Sequence, residues 1–328
     1  MPLTLRLDPW APSYESALQV EEDETDAARI ADVNTFVETD DWRPIAAPAP
    51  DPWPQPIFFI DGVRRVDTGV IEEADGGIVY GLLGSYAAGV TIHRDGKAAI
   101  HAENIGRRVV LGAGRETDPI LVPAGSLTLE YRFAGIADNS RHKVMTEIQV
   151  LMRKLEGDLG RVIAEQGDCL TFVDGPLTYL LPLEEPILGY VKTHSRYYVG
   201  PEHMPVLGAL EPGTRTPVFQ FGTEGASRYS WYTRVGPRRA LDHSMAGVIR
   251  VEVSATVGAE TAVGLADTST AILPRFATTS AWDPRAPQNL YPVSALESRL
   301  HQRLGDREFV RRSIAVHFQR LLSEGIAA

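Results

Sequence analysis

Apolar residues recur along this chain in two rhythms, and the change between them lays out its architecture. From Ile57 to about Ile136, apolar and polar positions alternate in short runs broken by Gly and Asp. The pattern predicts strands at Ile57–Ile60, Val63–Glu72, Gly77–Arg94, Lys97–His101, Val109–Leu111 and Leu127–Phe133. Between about Arg141 and Glu165 the rhythm turns helical, with Val144, Ile148, Leu151, Leu155, Leu159 and Val162 on one apolar stripe. Leu170–Val173 returns to strand character, so strand, helix and strand follow in order. Later runs predict strands at Ile187–Thr193, Val218–Phe221, Ser230–Val235 and Val248–Val253, and helices near Glu260–Leu273, Val293–Leu304 and Arg307–Ser323. Residues 1–55 are expected to form a helical or irregular arm ending in the proline-rich link Ala46 to Pro56, ahead of a main domain at 56–305 and a C-terminal helix at 306–328.

Composition narrows the possibilities. A chain of 328 residues with 44% apolar content can bury a substantial core. Its net charge of −11 argues against a broad coat of nucleic acid and against attraction to anionic membranes. The charge is uneven: Glu21, Glu22, Asp23, Glu24 and Asp26 crowd the start, while Arg299, Arg303, Arg307, Arg311, Arg312 and Arg320 lie in the last quarter. One cysteine, Cys169, excludes an internal disulfide, and no leader or apolar run of membrane-spanning length is seen, so a cytoplasmic protein without membrane contact is expected.

Two apolar strands run into Asp-Gly pairs, Ile57-Phe58-Phe59-Ile60-Asp61-Gly62 and Leu170-Thr171-Phe172-Val173-Asp174-Gly175. Singly, each pair reads as a turn. Together they suggest carboxylates meeting at one sheet edge, where desolvation is tolerable only beside positive charge, and so a divalent metal site. Counting back from Asp174, roughly 17 Å of strand rise matches roughly 11 residues of antiparallel helix, which reaches the level of Glu156. Glu147 is the weaker alternative on that helix. Gly157 and Gly160 beside Glu156 suggest close approach of backbone or substrate. A haloacid-type phosphatase would need a second Asp two residues after the first, where Val63 stands.

Phe59-Ile60-Asp61-Gly62, the helix with Glu156, Phe172-Val173-Asp174-Gly175-Pro176-Leu177, Gly189-Tyr190-Val191-Lys192-Thr193 and Asn289-Leu290-Tyr291-Pro292 together resemble the NurA nucleases over about residues 57–305. The resemblance implies an α/β, ribonuclease-H-like mixed sheet flanked by helices, with extra strands and a C-terminal helical segment. It also implies manganese-dependent DNA cleavage at a two-metal site (magnesium being possible), a homodimer, and a HerA-type hexameric translocating ATPase as partner in processing DNA ends. The residues implied for the site are Asp61, Glu156, Asp174 and Tyr291, with Lys192 available to neutralise a scissile phosphate. The family's late histidine is a departure: Arg299 stands in its place and His301 is the nearest histidine. Arg64, Arg65 and Arg299 are candidate DNA contacts, and Arg228, Arg234, Arg238 and Arg239 near Tyr229, Trp231 and Tyr232 could grip single strands. A non-catalytic clamp with a degenerate nuclease fold is the alternative from another class; hydrolysis of small phosphorylated substrates is a third reading.

Overall fold

A computed structural model describes residues 5–8, 33–74, 77–167, 169–181, 183–194, 196–223, 225–238, 242–283 and 285–323. The acidic run at 21–26 and Arg239 lie outside the described residues. Short strands β1 (Leu5–Leu7), β2 (Val33–Asn34) and β3 (Ile45–Ala46) precede the long β4 (Ile57–Ala74), β5 (Gly77–Arg94) and β6 (Lys97–Leu111). After β7 (Ile120–Ala124) and β8 (Leu127–Gly135) comes helix α1 (Arg141–Ala164), then β9 (Leu170–Asp174) and β10 (Ile187–Val191). The remainder is α2 (Met204–Gly208), β11 (Thr214–Arg215), β12 (Phe219–Phe221), β13 (Arg228–Arg234), β14 (Val248–Ser254), α3 (Ala259–Ile272), α4 (Tyr291–Leu304) and α5 (Arg307–Ser323).

The strands form one mixed sheet in the order β2-β12-β13-β14-β10-β9-β4-β5-β6-β8-β7. At its centre an antiparallel meander, β4 to β6, continues through α1 into β9, which lies parallel to β4, and then into β10, parallel to β9. This is a large mixed α/β sheet flanked by helices, as the resemblance implied. Helix α1 covers one face of the centre and α4 the other, while α5 packs on β7.

Alternation along β4 decides what faces each helix. Ile57 and Phe59 share a core with Leu290 and Val293 of the α4 region, and Val63 packs with Leu296 and Leu300. Phe58 and Ile60 point the other way, against Leu159 and Ile163 of α1. Asp61 therefore projects to the α4 face.

Three expectations change. Asp61-Gly62 does not end a strand, because β4 runs unbroken through it against β5. What ends there is the parallel cover: β9 pairs with Ile57 to Ile60 only, so Asp61 sits where the neighbouring chain turns away. The buried stripe of α1 runs through Val144, Ile148, Met152, Glu156, Leu159 and Ile163, rotated from the one expected, and Val162 is 57% exposed. Finally, part of the N-terminal arm is sheet: Asn34 pairs with Gln220, Ala46 pairs with Thr214, and both Glu38 oxygens accept from Arg215 at 2.7 and 2.9 Å. No described helix is long and apolar enough to cross a membrane.

A bulge between Val66 and Thr68 turns Asp67 inward, where it accepts from Arg65 Nε at 2.7 Å, Tyr131 Oη at 2.8 Å and Ser85 Oγ. The Arg65 guanidinium also donates to the carbonyls of Gly305 at 2.9 Å and Leu304 at 3.2 Å, and Arg107 donates to Leu304 at 3.1 Å. These bonds satisfy the carbonyls of Leu304 and its cap Gly305 at the C-terminal end of α4.

Candidate metal centre

Asp61, Asp174 and Glu297 each offer a carboxylate oxygen, and these atoms lie within 4.8 Å of one another. The sheet supplies two of them. By alternation, Asp174 follows Leu170 and Phe172 onto the face occupied by Ile57, Phe59 and Asp61, and Tyr190 and Lys192 follow Leu188. Helix α4 supplies the third, because its apolar seam of Val293, Leu296, Leu300 and Leu304 places Glu297 beside the sheet-facing side.

Asp61 is 4% exposed. Its Oδ1 accepts the Gly62 amide at 2.8 Å, while its buried Oδ2 has no hydrogen-bond partner among the described residues. Burial, then the nearby Asp174 charge, pushes its pKa well above the usual carboxylate range, and Glu297 and Glu156 add to the rise against the opposing pull of Lys192. Lys192 Nζ donates to Asp174 Oδ2 at 2.6 Å and to Asn289 Oδ1 at 3.0 Å. Burial alone would lower the Lys192 pKa, but Asp174 and Asp61 carry it above the normal value, so the ammonium stays charged. The Tyr190 hydroxyl is buried with no partner among the described residues, and burial together with Asp174 and Asp61 raises its pKa strongly.

Glu156 lies elsewhere. It is 1% exposed on the α1 side of the sheet, and its Oε2 accepts from Arg153 Nη1 at 2.8 Å. The same Arg153 nitrogen reaches the Asp174 carbonyl at 2.5 Å, so the pair props the end of β9 from beneath. Matching heights along helix and strand located Glu156 at the right level; which face of the sheet α1 covers was not part of that arithmetic. A Cβ on Gly62 would stand 2.5 Å from Glu156 Oε1, 2.8 Å from Met152 Cγ and 3.1 Å from the Ala87 carbonyl oxygen. Gly62→Ala is accordingly expected to destabilise the protein by about 1–3 kcal/mol, measured as a lower urea midpoint at unchanged m. Glu147 lies on the first half of α1, outside the carboxylate cluster.

Tyr291 opens α4, 38% exposed, with its hydroxyl 3.5 Å from Thr279 Oγ1 and its ring 5.9 Å from that of Trp282. Arg299 forks onto Glu103 at 3.1 and 3.2 Å, and His301 is exposed in the last turn of α4. Of the arginines expected to meet DNA, Arg64 is half-buried on β4, whereas Arg65 is spent on Asp67 and the α4 carbonyls. Most of the aromatic and basic patch near Tyr229 is interior: Trp231 and Tyr232 are core residues, Arg228 is buried on Glu252, and Arg234 is buried among the carbonyls of Leu210, Ser244 and Ala246, whereas Arg238 is exposed. The buried residues belong to β13, a strand with β14 and β12 on either side.

Sequence reasoning missed Glu297, Tyr190, Asn289, Asp283 and Arg285. Arg285 donates to both Glu297 oxygens, at 3.0 and 2.6 Å, and to Asp283, which also accepts from Asn289 Nδ2 at 2.6 Å and Ser294 Oγ at 3.1 Å. Although burial opposes ionisation of Asp283, the Arg285 and Asn289 hydrogen bonds hold its pKa below the usual range. A usable signal was the parity of β4: positions 57, 59, 61 and 63 share a face, so the partner helix is whichever one packs on Phe59.

Residues 56–301 match the family model of the NurA domain. A solved structure, that of the NurA nuclease from Sulfolobus solfataricus, aligns with 95% of this chain and 97% of its own, at 12% identity and a TM-score of 0.47, a likeness too distant to bear on mechanism. No curated protein matches the chain.

Proposed function

The chain belongs to the NurA family of nucleases, and from that premise we propose that it is a manganese-dependent deoxyribonuclease that hydrolyses phosphodiesters at DNA ends, together with a HerA-type hexameric translocating ATPase, in DNA repair. The observation that carries this reading is the buried Asp61 carboxylate, one oxygen without a hydrogen-bond partner among the described residues, facing Asp174 across a site with only oxygen donors on its anionic side. Hard divalent cations favour such a donor set. Asp61 and Asp174 would hold the metal. When bound, it supplies Lewis acidity toward the phosphodiester and activates water for in-line attack.

The chain's own groups do the rest. The Lys192 ammonium, fixed between Asp174 and Asn289, offers positive charge at the place where a non-bridging phosphate oxygen gains negative charge. The Tyr190 hydroxyl beneath it keeps its proton, so it can donate to an attacking or phosphate oxygen. Glu156 and Arg153 hold the Asp174 backbone at its height. The acidity of the whole chain, −11, makes long DNA a poor ligand for the protein alone, which supports a translocase partner that feeds DNA to it; the homodimer whose paired sites flank a channel is carried over from the family.

The test uses the purified full chain with end-labelled single- and double-stranded DNA, with manganese, magnesium or EDTA, and with or without the ATPase. Cleavage that requires manganese, stops with EDTA and returns when the metal is restored is the expected result. A chain that cuts no DNA under any of these conditions would overturn it in favour of a non-catalytic clamp. Turnover of p-nitrophenyl phosphate with indifference to DNA would equally overturn it.

A further inference from the structure

We propose that Glu297 of α4 is the third carboxylate of the cation site and that Arg285 is the positioning residue that presents it; the inference rests on the metal-site reading above. The sheet face carries the first half of the case. Asp61 and Asp174 project toward α4, and Glu297 brings an oxygen within 4.8 Å of oxygens on both, whereas Glu156 sits across the sheet with an oxygen held by Arg153.

The second half is a chain of hydrogen bonds around the site. It runs from Asp174 through Lys192, Asn289, Asp283 and Arg285 to Glu297. Asp174 and Glu297 are thereby tied to one brace, and Asp61 lies within reach of both with its buried Oδ2 unpartnered among the described residues. The fork of Arg285 does not exhaust Glu297. A carboxylate has about four lone-pair sites, so it can accept a bidentate guanidinium and still ligate a cation. Partners of this kind orient ligating carboxylates, and their loss typically weakens metal binding by about 10–100-fold.

Manganese binding to the full-length protein, measured by isothermal titration calorimetry and by the EPR signal of free manganese, separates this inference from the reading beneath it. Glu297→Gln is expected to weaken binding at least about tenfold, and Arg285→Met to weaken it about tenfold, with part of the loss restored in Arg285→Lys. Glu297→Cys, compared with the parent protein, is expected to lose manganese and gain cadmium affinity, because a thiolate prefers the softer ion; a purely structural glutamate would produce no such exchange. If Asp61→Asn loses manganese while Glu297→Gln and Glu297→Cys bind as the parent does, the inference fails and the metal site survives. If Asp61→Asn also binds as the parent does, the site itself is refuted and the inference goes with it.

Discussion

Asp61→Asn will abolish DNA cleavage, by about 1,000-fold or more, while the unfolding midpoint stays level or rises. The first part follows from chemistry: a cation positioned at a phosphodiester contributes several kcal/mol of transition-state stabilisation, and about 4 kcal/mol corresponds to about 10³ in rate. The second follows from burial. A carboxylate whose pKa is driven upward by desolvation and by Asp174 is held at the expense of the fold, so an uncharged amide of the same shape relieves that penalty. Asp174→Asn should lose activity equally but also lose stability, because it takes the anion away from the buried Lys192 ammonium. Cleavage assays beside guanidinium unfolding curves read both quantities. Full activity in Asp61→Asn would dismiss the assigned role, and a large fall in its midpoint would dismiss the account of its burial.

The second large effect is structural and lies one strand further out. Glu252→Ala is expected to destabilise the protein by about 3–5 kcal/mol. Its carboxylate is fully buried between Arg228, at 3.0 Å, and Arg250, and also accepts the Leu177 amide at 2.6 Å. Burial alone would raise the Glu252 pKa, but Arg228 and Arg250 outweigh it and hold the group below its normal value of 4.5. A carboxylate depressed in the folded state stabilises fully above the unfolded value and loses that contribution as pH falls through the folded one. Stability measured from pH 7 downward should therefore drop below about pH 4.5 in the parent, and more shallowly in Glu252→Gln. The Leu177 amide gives this network a second duty. It pins the Asp174-Gly175-Pro176-Leu177 turn, whose Gly175 amide also donates to the Tyr190 carbonyl at 2.9 Å, so relaxation of Glu252 should loosen the aspartate as well.

Much of this was legible because it is local. The helical period between Arg141 and Glu165, the short strand before Asp174 and the two C-terminal helices are written in residue spacing, and the structure has them within a few positions. Asp61 and Asp174 were visible because an acid at the end of an apolar run is conspicuous. Glu297 was not. In sequence it is one more glutamate on the flank of an amphipathic helix, and only the packing of α4 against Phe59 and Val63 brings it to the site. Arg228 and Arg234 misled for the opposite reason: composition shows that a cation is present but not that Glu252 or a set of carbonyls is waiting for it in the interior. Face and partner are properties of the assembled sheet, whereas period belongs to the chain.

The anchoring of the α4 tail has a mechanical consequence. Arg65 of β4 and Arg107 of β6, on either side of β5, both grip the Leu304 carbonyl, and Glu297 lies seven residues upstream, about 10 Å along the axis at about 1.5 Å per residue. The helix cannot slide without dragging those guanidiniums off their perches, so the height of Glu297 beside Asp61 and Asp174 is set by a fastening well outside the carboxylate cluster. Slack introduced there would arrive at Glu297 as axial slippage, loosening the cluster without touching any of its three carboxylates.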